Sequence, residues 1–341
     1  DLNNQNGGRV LSNAALNLQA QQLNNSGGAL DTQGQLNIAA ESIDNASGHI
    51  VGDAGVQIRS DRLDNQAGGL ILSHGQLDAT VDRLNNQQGS LIADAGVSLK
   101  GLTLNNAAGR ISSQNSVQLD HIELINSQGL IVAGNDLSVA ATTVENAQGE
   151  LSAGHSLVLD AQLLQQKQGQ ILSAGTMSLS AQTLDNSGQG LISAATELTI
   201  QTDEFNNQEQ GTVLSDGVLN IQTKQLNNAN KGLLASKGLL QIQTHQLDQH
   251  NRGELISEKA IQLNLSGGDL NNSQGGLIYA PQLQLQLQQV GLLNNSQGGE
   301  ISSQKGSVLH LGKLNNQGGK LISEGTLELT QTAQVLDNRG G

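Results

Sequence analysis

One phrase recurs along the whole chain: an aliphatic residue, an asparagine-rich polar stretch, then a glycine followed by an aliphatic pair. The leading residue, here called the anchor, occurs 17 times at intervals of 20 to 23 residues. The anchors are Leu2, Leu23, Ile43, Leu63, Leu84, Leu104, Leu124, Val144, Leu164, Leu184, Phe205, Leu226, Leu247, Leu270, Leu293, Leu314 and Leu336. A fixed period of this length indicates a repeat architecture, and no interval is long enough for a separate domain.

A glycine follows each of the first 16 anchors at an equivalent position. The first six are Gly8, Gly28, Gly48, Gly69, Gly89 and Gly109. From this glycine to the next anchor the distance is 15 residues in 13 of 16 repeats, so most length variation lies between anchor and glycine. Turns absorb such variation and packed strands do not, which predicts a turn there. The three longer intervals begin at Gly253, Gly276 and Gly319.

The rest of each repeat has a period of two. Positions two, eight and ten after the glycine are almost always aliphatic, and positions four and twelve are mostly small. This alternation predicts short, half-buried strands, and the pattern slips by one residue after Pro281. Because the same turn chemistry recurs in every unit, each repeat is predicted to form one coil of a parallel β-helix. We therefore predict a single all-β solenoid over 1–341, with about 16 turns and slightly enlarged turns at 253–293.

The composition agrees with a narrow, fully hydrogen-bonded coil. The chain has one Pro, one Phe, one Tyr and no Trp or Cys, and its formal net charge is -14. Stacked aliphatic columns leave little room for rings, so we expect the column around Phe205 to bulge. The acidic balance argues against nucleic acid as a partner. No apolar run approaches the ~20 residues of a membrane span, so we expect no membrane insertion of this segment.

The predicted turn has its own signature. Two residues after the anchor, 15 of 17 positions are Asn, and the exceptions are Gln166 and Gln249. The first six of these positions are Asn4, Asn25, Asn45, Asn65, Asn86 and Asn106. Stacked amides can form a hydrogen-bonded ladder from turn to turn. We also expect both the Asn and the repeated glycine to supply the left-handed backbone that a tight corner requires.

The candidate chemical groups favour no reaction. His121 occupies a twelve-on position, and we expect a local register adjustment that turns Ile122 inward instead. Asp44 and Asp64 follow adjacent anchors and are predicted to be an exposed pair with mild repulsion rather than a catalytic or cation site. His245 and His250 are expected on the solvated surface. We predict no catalytic residues, no metal site, no cofactor and no enzyme activity.

The phrases at 314–330 (LNNQGGKLISEGTLELT) and 63–79 (LDNQAGGLILSHGQLDA) resemble the repeats of filamentous haemagglutinin and of related two-partner-secretion exoproteins, including contact-dependent growth inhibition effectors. The resemblance covers essentially the whole chain. It implies a right-handed β-helical shaft that a Gram-negative bacterium exports through an outer-membrane transporter and displays at its surface. Since the chain begins and stops within a repeat, we also expect a shaft fragment that is uncapped at both ends.

Two functional hypotheses follow. In the first, the chain is a structural stalk that projects a distal receptor-binding or toxin domain towards another cell. In the second, it is an adhesin segment that binds a glycan or a receptor through its own surface. The candidate contact patch for the second hypothesis contains Tyr279 and Pro281, within the enlarged turns.

Overall fold

The computed structural model describes residues 1–287, 291–331 and 336–341, and within them the only regular secondary structure is β-strand. Strands pair in parallel with the strands at equivalent positions of neighbouring repeats, as when Ser90–Ala93 pairs with Leu70–Ser73 on one side and Arg110–Ser113 on the other. The prediction of an all-β parallel solenoid of about 16 turns is confirmed.

The chain divides into two compact units. The first unit comprises Asp1–Leu164 and Gln170–Leu172, and the second comprises Gln165–Gly169 and Ser173–Gly341. The strands of the first unit are β1 Leu2–Asn3, β2 Arg9–Ser12, β3 Leu16–Asn24, β4 Ala29–Thr32, β5 Gln35–Asp44, β6 His49–Gly52, β7 Gly55–Asp64, β8 Leu70–Ser73, β9 Gln76–Asn85, β10 Ser90–Ala93, β11 Gly96–Lys100, β12 Thr103–Asn105, β13 Arg110–Ser113, β14 Ser116–Ile125, β15 Leu130–Ala133, β16 Asp136–Glu145, β17 Glu150–Ala153 and β18 Ser156–Asp160. Two strands, β19 Leu163–Gln165 and β20 Gln170–Ser173, contain residues of both units.

The second unit repeats the same elements. Its strands are β21 Thr176–Asp185, β22 Leu191–Ala194, β23 Leu198–Asn206, β24 Thr212–Ser215, β25 Leu219–Gln222, β26 Gln225–Asn227, β27 Leu233–Ser236, β28 Leu239–Thr244, β29 Gln246–Asp248, β30 Glu254–Ser257, β31 Ala260–Leu265, β32 Leu270–Asn271, β33 Leu277–Leu287, β34 Leu292–Asn294, β35 Glu300–Leu311, β36 Lys313–Asn315, β37 Lys320–Ser323, β38 Thr326–Gln331 and β39 Leu336–Asp337.

One turn, residues 90–109, shows how a repeat is built. Strand β10 leads into a second corner at 94–95, β11 follows, a third corner lies at 101–102, and β12 leads into the first corner at 106–109. The corresponding positions of the other turns carry the same corner names. In several turns the two later strands merge through the third corner into one long strand such as β14.

The cores of both units consist of aliphatic columns. In the turn that begins at β10 the inward side chains are Leu91, Val97, Leu99 and Leu104, each at most 2% exposed. Phe205 is likewise 2% exposed and occupies an anchor position in the second unit. Burial of each large aliphatic side chain contributes roughly 1.5–3 kcal/mol, most of which chain entropy offsets.

Irregularities in the second unit lie at corners. On β33 the register against β35 shifts between Ala280 and Gln282, which places the predicted slip at Pro281. Leu283 and Leu285 remain buried after it. The extra residues of the repeat that begins at Gly253 form the third corner at 266–269, between β31 and β32. The other two long intervals contain 288–290 and 332–335, which lie outside the described residues.

Candidate functional site

The first corner holds a buried ladder of side-chain amides, here called the inner amide ladder. In the first unit seven successive 2.7 Å hydrogen bonds join the side-chain amides, each from Nδ2 of one residue to Oδ1 of the amide one turn later. The participants are Asn4, Asn25, Asn45, Asn65, Asn86, Asn106, Asn126 and Asn146. The same Nδ2 also donates to a backbone carbonyl of the next turn, as from Asn25 to His49 at 3.0 Å. Each amide therefore crosslinks two turns through its side chain.

The second unit contains the same ladder with imperfect members. Asn186, Asn207 and Asn228 are linked at 2.7 Å. Gln249 occupies the next position and receives a long 3.5 Å contact from Asn228, while its own Nε2 donates to Asn272 at 2.8 Å. Asn272, Asn295, Asn316 and Asn338 continue the ladder at 2.6–2.7 Å. A glutamine therefore fits this position, with one of its two ladder bonds weakened.

Gln166 disrupts the inner amide ladder more than Gln249 does. Its longer side chain carries Nε2 to the carbonyl of Leu191 at 3.3 Å. The next amide, Asn186, is fully buried, and its Oδ1 has no hydrogen-bond partner. A buried acceptor without a partner costs about 1–3 kcal/mol. The ladder position occupied by Gln166 therefore lies beside a local defect.

The structure corrects our explanation of the repeated glycine. Left-handed backbone occurs one residue earlier, at Gly68 (φ 82°), Gln88 (φ 57°) and Ala108 (φ 50°), and neither the repeated glycine nor the ladder Asn has it in any described turn. A Cβ on Gly89 would instead overlap the carbonyl oxygen of Asn65 in the preceding turn and lie 2.7 Å from Oδ1 of Asn86. The glycine is required because the backbone of the turn below touches it.

A second row of polar side chains, the outer amide row, follows the anchors on the outside. Here the bonds run in the opposite direction, since the later residue donates to the earlier one: Asn294 to Asn271 and Asn315 to Asn294, both at 3.1 Å. Members also accept a backbone N–H two residues on, as Asp44 does from Ala46 at 2.9 Å. The sequence prediction omitted this row, although a polar residue follows every anchor except Leu124, which is followed by Ile125.

Asp44 and Asp64 are both members of the outer amide row. The prediction of an exposed pair is wrong for Asp64, which is 8% exposed. Its carboxylate contacts the Arg62 guanidinium at 3.1 Å and accepts a 3.1 Å hydrogen bond from Asn85. Asp64 therefore has a structural role in the outer amide row.

The prediction for His121 is wrong. The expected register adjustment does not occur, because His121 points inward at 5% exposure while Ile122 is 55% exposed. Both ring nitrogens of His121 are buried without a hydrogen-bond partner, and burial lowers its pKa to about 4. His245 is exposed, and His250 is half-buried with Nδ1 2.7 Å from Oδ1 of Asp248.

The candidate contact patch lies on the outer face of β33. Tyr279 is half-buried and its hydroxyl accepts a 2.7 Å hydrogen bond from Nε2 of Gln304. Pro281 is half-buried at the register shift two residues later. Tyr279 and the buried Phe205 are the only Phe, Tyr or Trp residues of the chain, so Tyr279 is the one large aromatic side chain among them that reaches the surface.

Few features of the described residues indicate ligand chemistry. No group of three or more His, Asp or Glu side chains is arranged to hold a metal ion in the part of the chain that the structure describes. The ion pairs there are mostly exposed, and the hydrogen bond to Asp94 raises the pKa of His74. Among the same residues no helix is long and apolar enough to cross a membrane.

Repeated turns, crosslinked by amides and filled with aliphatic columns, define a structural β-solenoid of the shaft type. A family model described as "Haemagglutinin repeat" matches residues 1–101, 51–121, 72–141, 123–202, 179–241, 211–274 and 265–341. These matches tile the whole chain, and the protein belongs to the haemagglutinin repeat family. The predicted family resemblance is confirmed, and shafts of this family are structural rather than catalytic. Neither the curated proteins nor the solved structures contain a match.

Proposed function

We propose that the chain is a stalk segment of a large exported bacterial surface protein, and that its two units serve as one shaft. The observation that carries this proposal is the inner amide ladder, which is buried in every member except Asn338 and is repeated along each unit. The repeated side chains of a turn are engaged with the adjacent turns. Such a design resists bending and contributes length, and it leaves the recognition of another cell to a distal receptor-binding or toxin domain.

Export fits the same design. Parallel turns with a common corner can add one after another, because each new turn meets the donors and acceptors of the turn before it. The absence of Cys means that no disulfide has to form during this process. We therefore propose that the chain crosses the outer membrane unfolded through a dedicated transporter and folds at the cell surface.

A stalk should tolerate the loss of whole turns. Deletion of residues 90–109 joins Gly89 to Arg110 and keeps every column in register, whereas deletion of 90–99 removes half a turn. In the intact exoprotein displayed on cells, the whole-turn deletion should retain binding or toxicity towards target cells with a slightly shorter reach. The half-turn deletion should lose surface display. The stalk proposal would be refuted if the whole-turn deletion protein were displayed at the wild-type level and still lost its function towards target cells.

The Tyr279 patch supports a second candidate function, direct adhesion by the shaft. Tyr279 is the one Tyr of a chain that has a single Phe and no Trp, it is half-buried, and Tyr and Trp are enriched at binding surfaces. Tyr279→Ser should then reduce binding of the isolated chain to target cells or to a glycan array at least tenfold. The matched control is Ile256→Ser, because Ile256 pairs with Tyr279 on the neighbouring strand. If the wild-type chain binds nothing, the adhesion hypothesis is rejected and the stalk proposal is unaffected.

A further inference from the structure

The third corner that contains His121 and Ile122 has its polarity inverted. The imidazole of His121 faces the core at 5% exposure, and both of its nitrogens lack a hydrogen-bond partner. The aliphatic side chain of Ile122 is 55% exposed, beside Leu102 of the preceding turn at 43%. The backbone N–H of Ile122 donates to the carbonyl of Leu102 at 3.0 Å, so the two residues lie on adjacent turns. A polar ring is buried where its aliphatic neighbour would pack better.

The inward position can hold a side chain as large as that of Ile122. Val81 occupies it two turns earlier and is 1% exposed, and Leu265, Leu287 and Leu311 occupy it in the second unit at 5% exposure or less. The turns on either side of His121 carry small residues there. These are Gly101 in the preceding turn and Ala141, which pairs with His121, in the following turn.

No charged side chain compensates the buried ring. On its own strand β14, Asp120 is exposed and Glu123 is half-buried. On the preceding turn, β11 carries the exposed Lys100 opposite Asp120, and β12 carries no charged residue. On the following turn, residues 140–143 of β16 are uncharged. Burial lowers the pKa of His121 to about 4, and the charge of Asp120 opposes this only in part.

We propose that residues 121 and 122 form a pH-sensitive switch with two arrangements. At neutral pH, His121 lies inside and Ile122 outside. After protonation, His121 moves to the solvent and Ile122 takes its place in the aliphatic column. The change is confined to the third corner, where Ile122 is unpaired between the register pairs His121–Ala141 and Glu123–Thr143. Its consequence is that acid removes an exposed aliphatic side chain from the surface and replaces it with a cation.

The direction of the pH dependence follows from the linkage between proton binding by His121 and the two arrangements. The pKa of His121 in the inside arrangement is about 4 and that of a solvated imidazole is 6.5, so protons favour the outside arrangement. The inside arrangement has its full advantage at pH values above 6.5, the pKa of the solvated imidazole. It loses this advantage as the pH falls towards about 4, the pKa of the buried ring. The ratio of outside to inside increases about 30-fold between pH 7.5 and pH 5, towards a limit of about 300-fold below pH 4.

The test is NMR of the full chain with labelled histidine rings and isoleucine methyl groups. A soluble paramagnetic probe reports which methyl groups contact solvent. As the pH falls from 7.5 to 4, the contact of the Ile122 methyl with the probe should decrease, and it should follow the same pH profile as the His121 ring resonance. His121→Ala is the matched control, since Ala is the residue at position 141 of the next turn. In this variant the exposure of the Ile122 methyl group to the probe should not change with pH.

A second variant separates the switch from simple acid unfolding. Ile122→Asn removes the aliphatic side chain that would replace the ring, so His121 should leave the core only at a lower pH in this variant. The proposal is overturned if His121 titrates at 6.5 while Ile122 stays exposed. It is equally overturned if His121 becomes exposed on acidification without burial of the Ile122 methyl group.

Discussion

The repeated glycine gives the sharpest test of the structure, because two explanations predict opposite results. If the glycine supplied left-handed backbone, Gly68 would be the essential residue, since its φ is 82°. The structure instead makes the next turn's Gly89 essential, because any side chain there would overlap the backbone of Asn65. We therefore compare Gly89→Ala with Gly68→Ala.

The expected loss of stability in each variant follows from the atoms that surround the glycine. At Gly68 a Cβ would have no atom of another residue within 4 Å, and Gln210 occupies the same place in another first corner of equal length with φ 67°. Gly68→Ala should therefore cost only the left-handed strain of an alanine, about 1 kcal/mol. Gly89→Ala forces two turns apart. It breaks the 2.7 Å bond from Asn65 Nδ2 to Asn86 Oδ1 and leaves that buried acceptor without a donor, at about 1–3 kcal/mol. Overpacking against the backbone of Asn65 adds about 1–3 kcal/mol, for a total of about 2–6 kcal/mol.

Urea unfolding of the full chain, followed by far-ultraviolet circular dichroism, compares the two variants, and hydrogen exchange locates the damage. A solenoid unfolds in local steps, so amide exchange in residues 65–110 is the more direct measure. Gly89→Ala should lower the free energy of local opening there by several kcal/mol, while Gly68→Ala should lower it by only about 1 kcal/mol. Equal effects, or a larger effect of Gly68→Ala, would refute the argument that turn-to-turn contact fixes the glycine.

Three further predictions concern other parts of the solenoid. Gln166→Asn should raise the free energy of unfolding by about 1 kcal/mol in urea titration, because the orphaned Oδ1 of Asn186 gains a ladder donor, and Gln249→Asn should gain less since Gln249 already bonds to the next turn. Phe205→Leu should cost no more than about 2 kcal/mol by the same assay, because leucine fills most other anchor positions, and a larger loss would show that the column is shaped around the ring. Two glycines inserted between β11 and β12 should leave the circular dichroism spectrum and the melting temperature nearly unchanged, whereas the same insertion within β10 should abolish cooperative melting.

The columns were predictable from the sequence because a period of two within a period of about 20 leaves few folds. The aliphatic pair after each glycine shows the limit of this reasoning. Ile71 and Leu72 have the same chemistry, yet Ile71 is buried and Leu72 is only half-buried, because successive side chains of a strand face opposite sides. Composition marks both residues as core, and only the strand geometry separates them.

The errors share one physical origin. The position of the left-handed residue, the burial of Asp64 and the inward ring of His121 all depend on contacts between turns, and a single repeat carries no information about its neighbour. Gly101 illustrates this, because a Cβ there would overlap the carbonyl oxygen of Val81 in the preceding turn, a contact that its own repeat does not reveal. The inner amide ladder was easier to anticipate, since each Asn stacks on another Asn and needs no knowledge of a different side chain.

These observations locate where the chain can specialise. The first corner is committed to the inner amide ladder and to the glycine contact, so substitutions there destabilise the turn that carries them and the turn that precedes it. The third corner has no amide ladder, and a glycine contact occurs there only in individual turns, such as that of Gly101. It accommodates the extra residues at 266–269 in the second unit, and in the first unit it contains the inverted pair His121 and Ile122 and the exposed Leu102. The repeat does not require these features. Selection for binding a partner or for responding to pH, rather than for the stability of the shaft, would therefore change residues at the third corners.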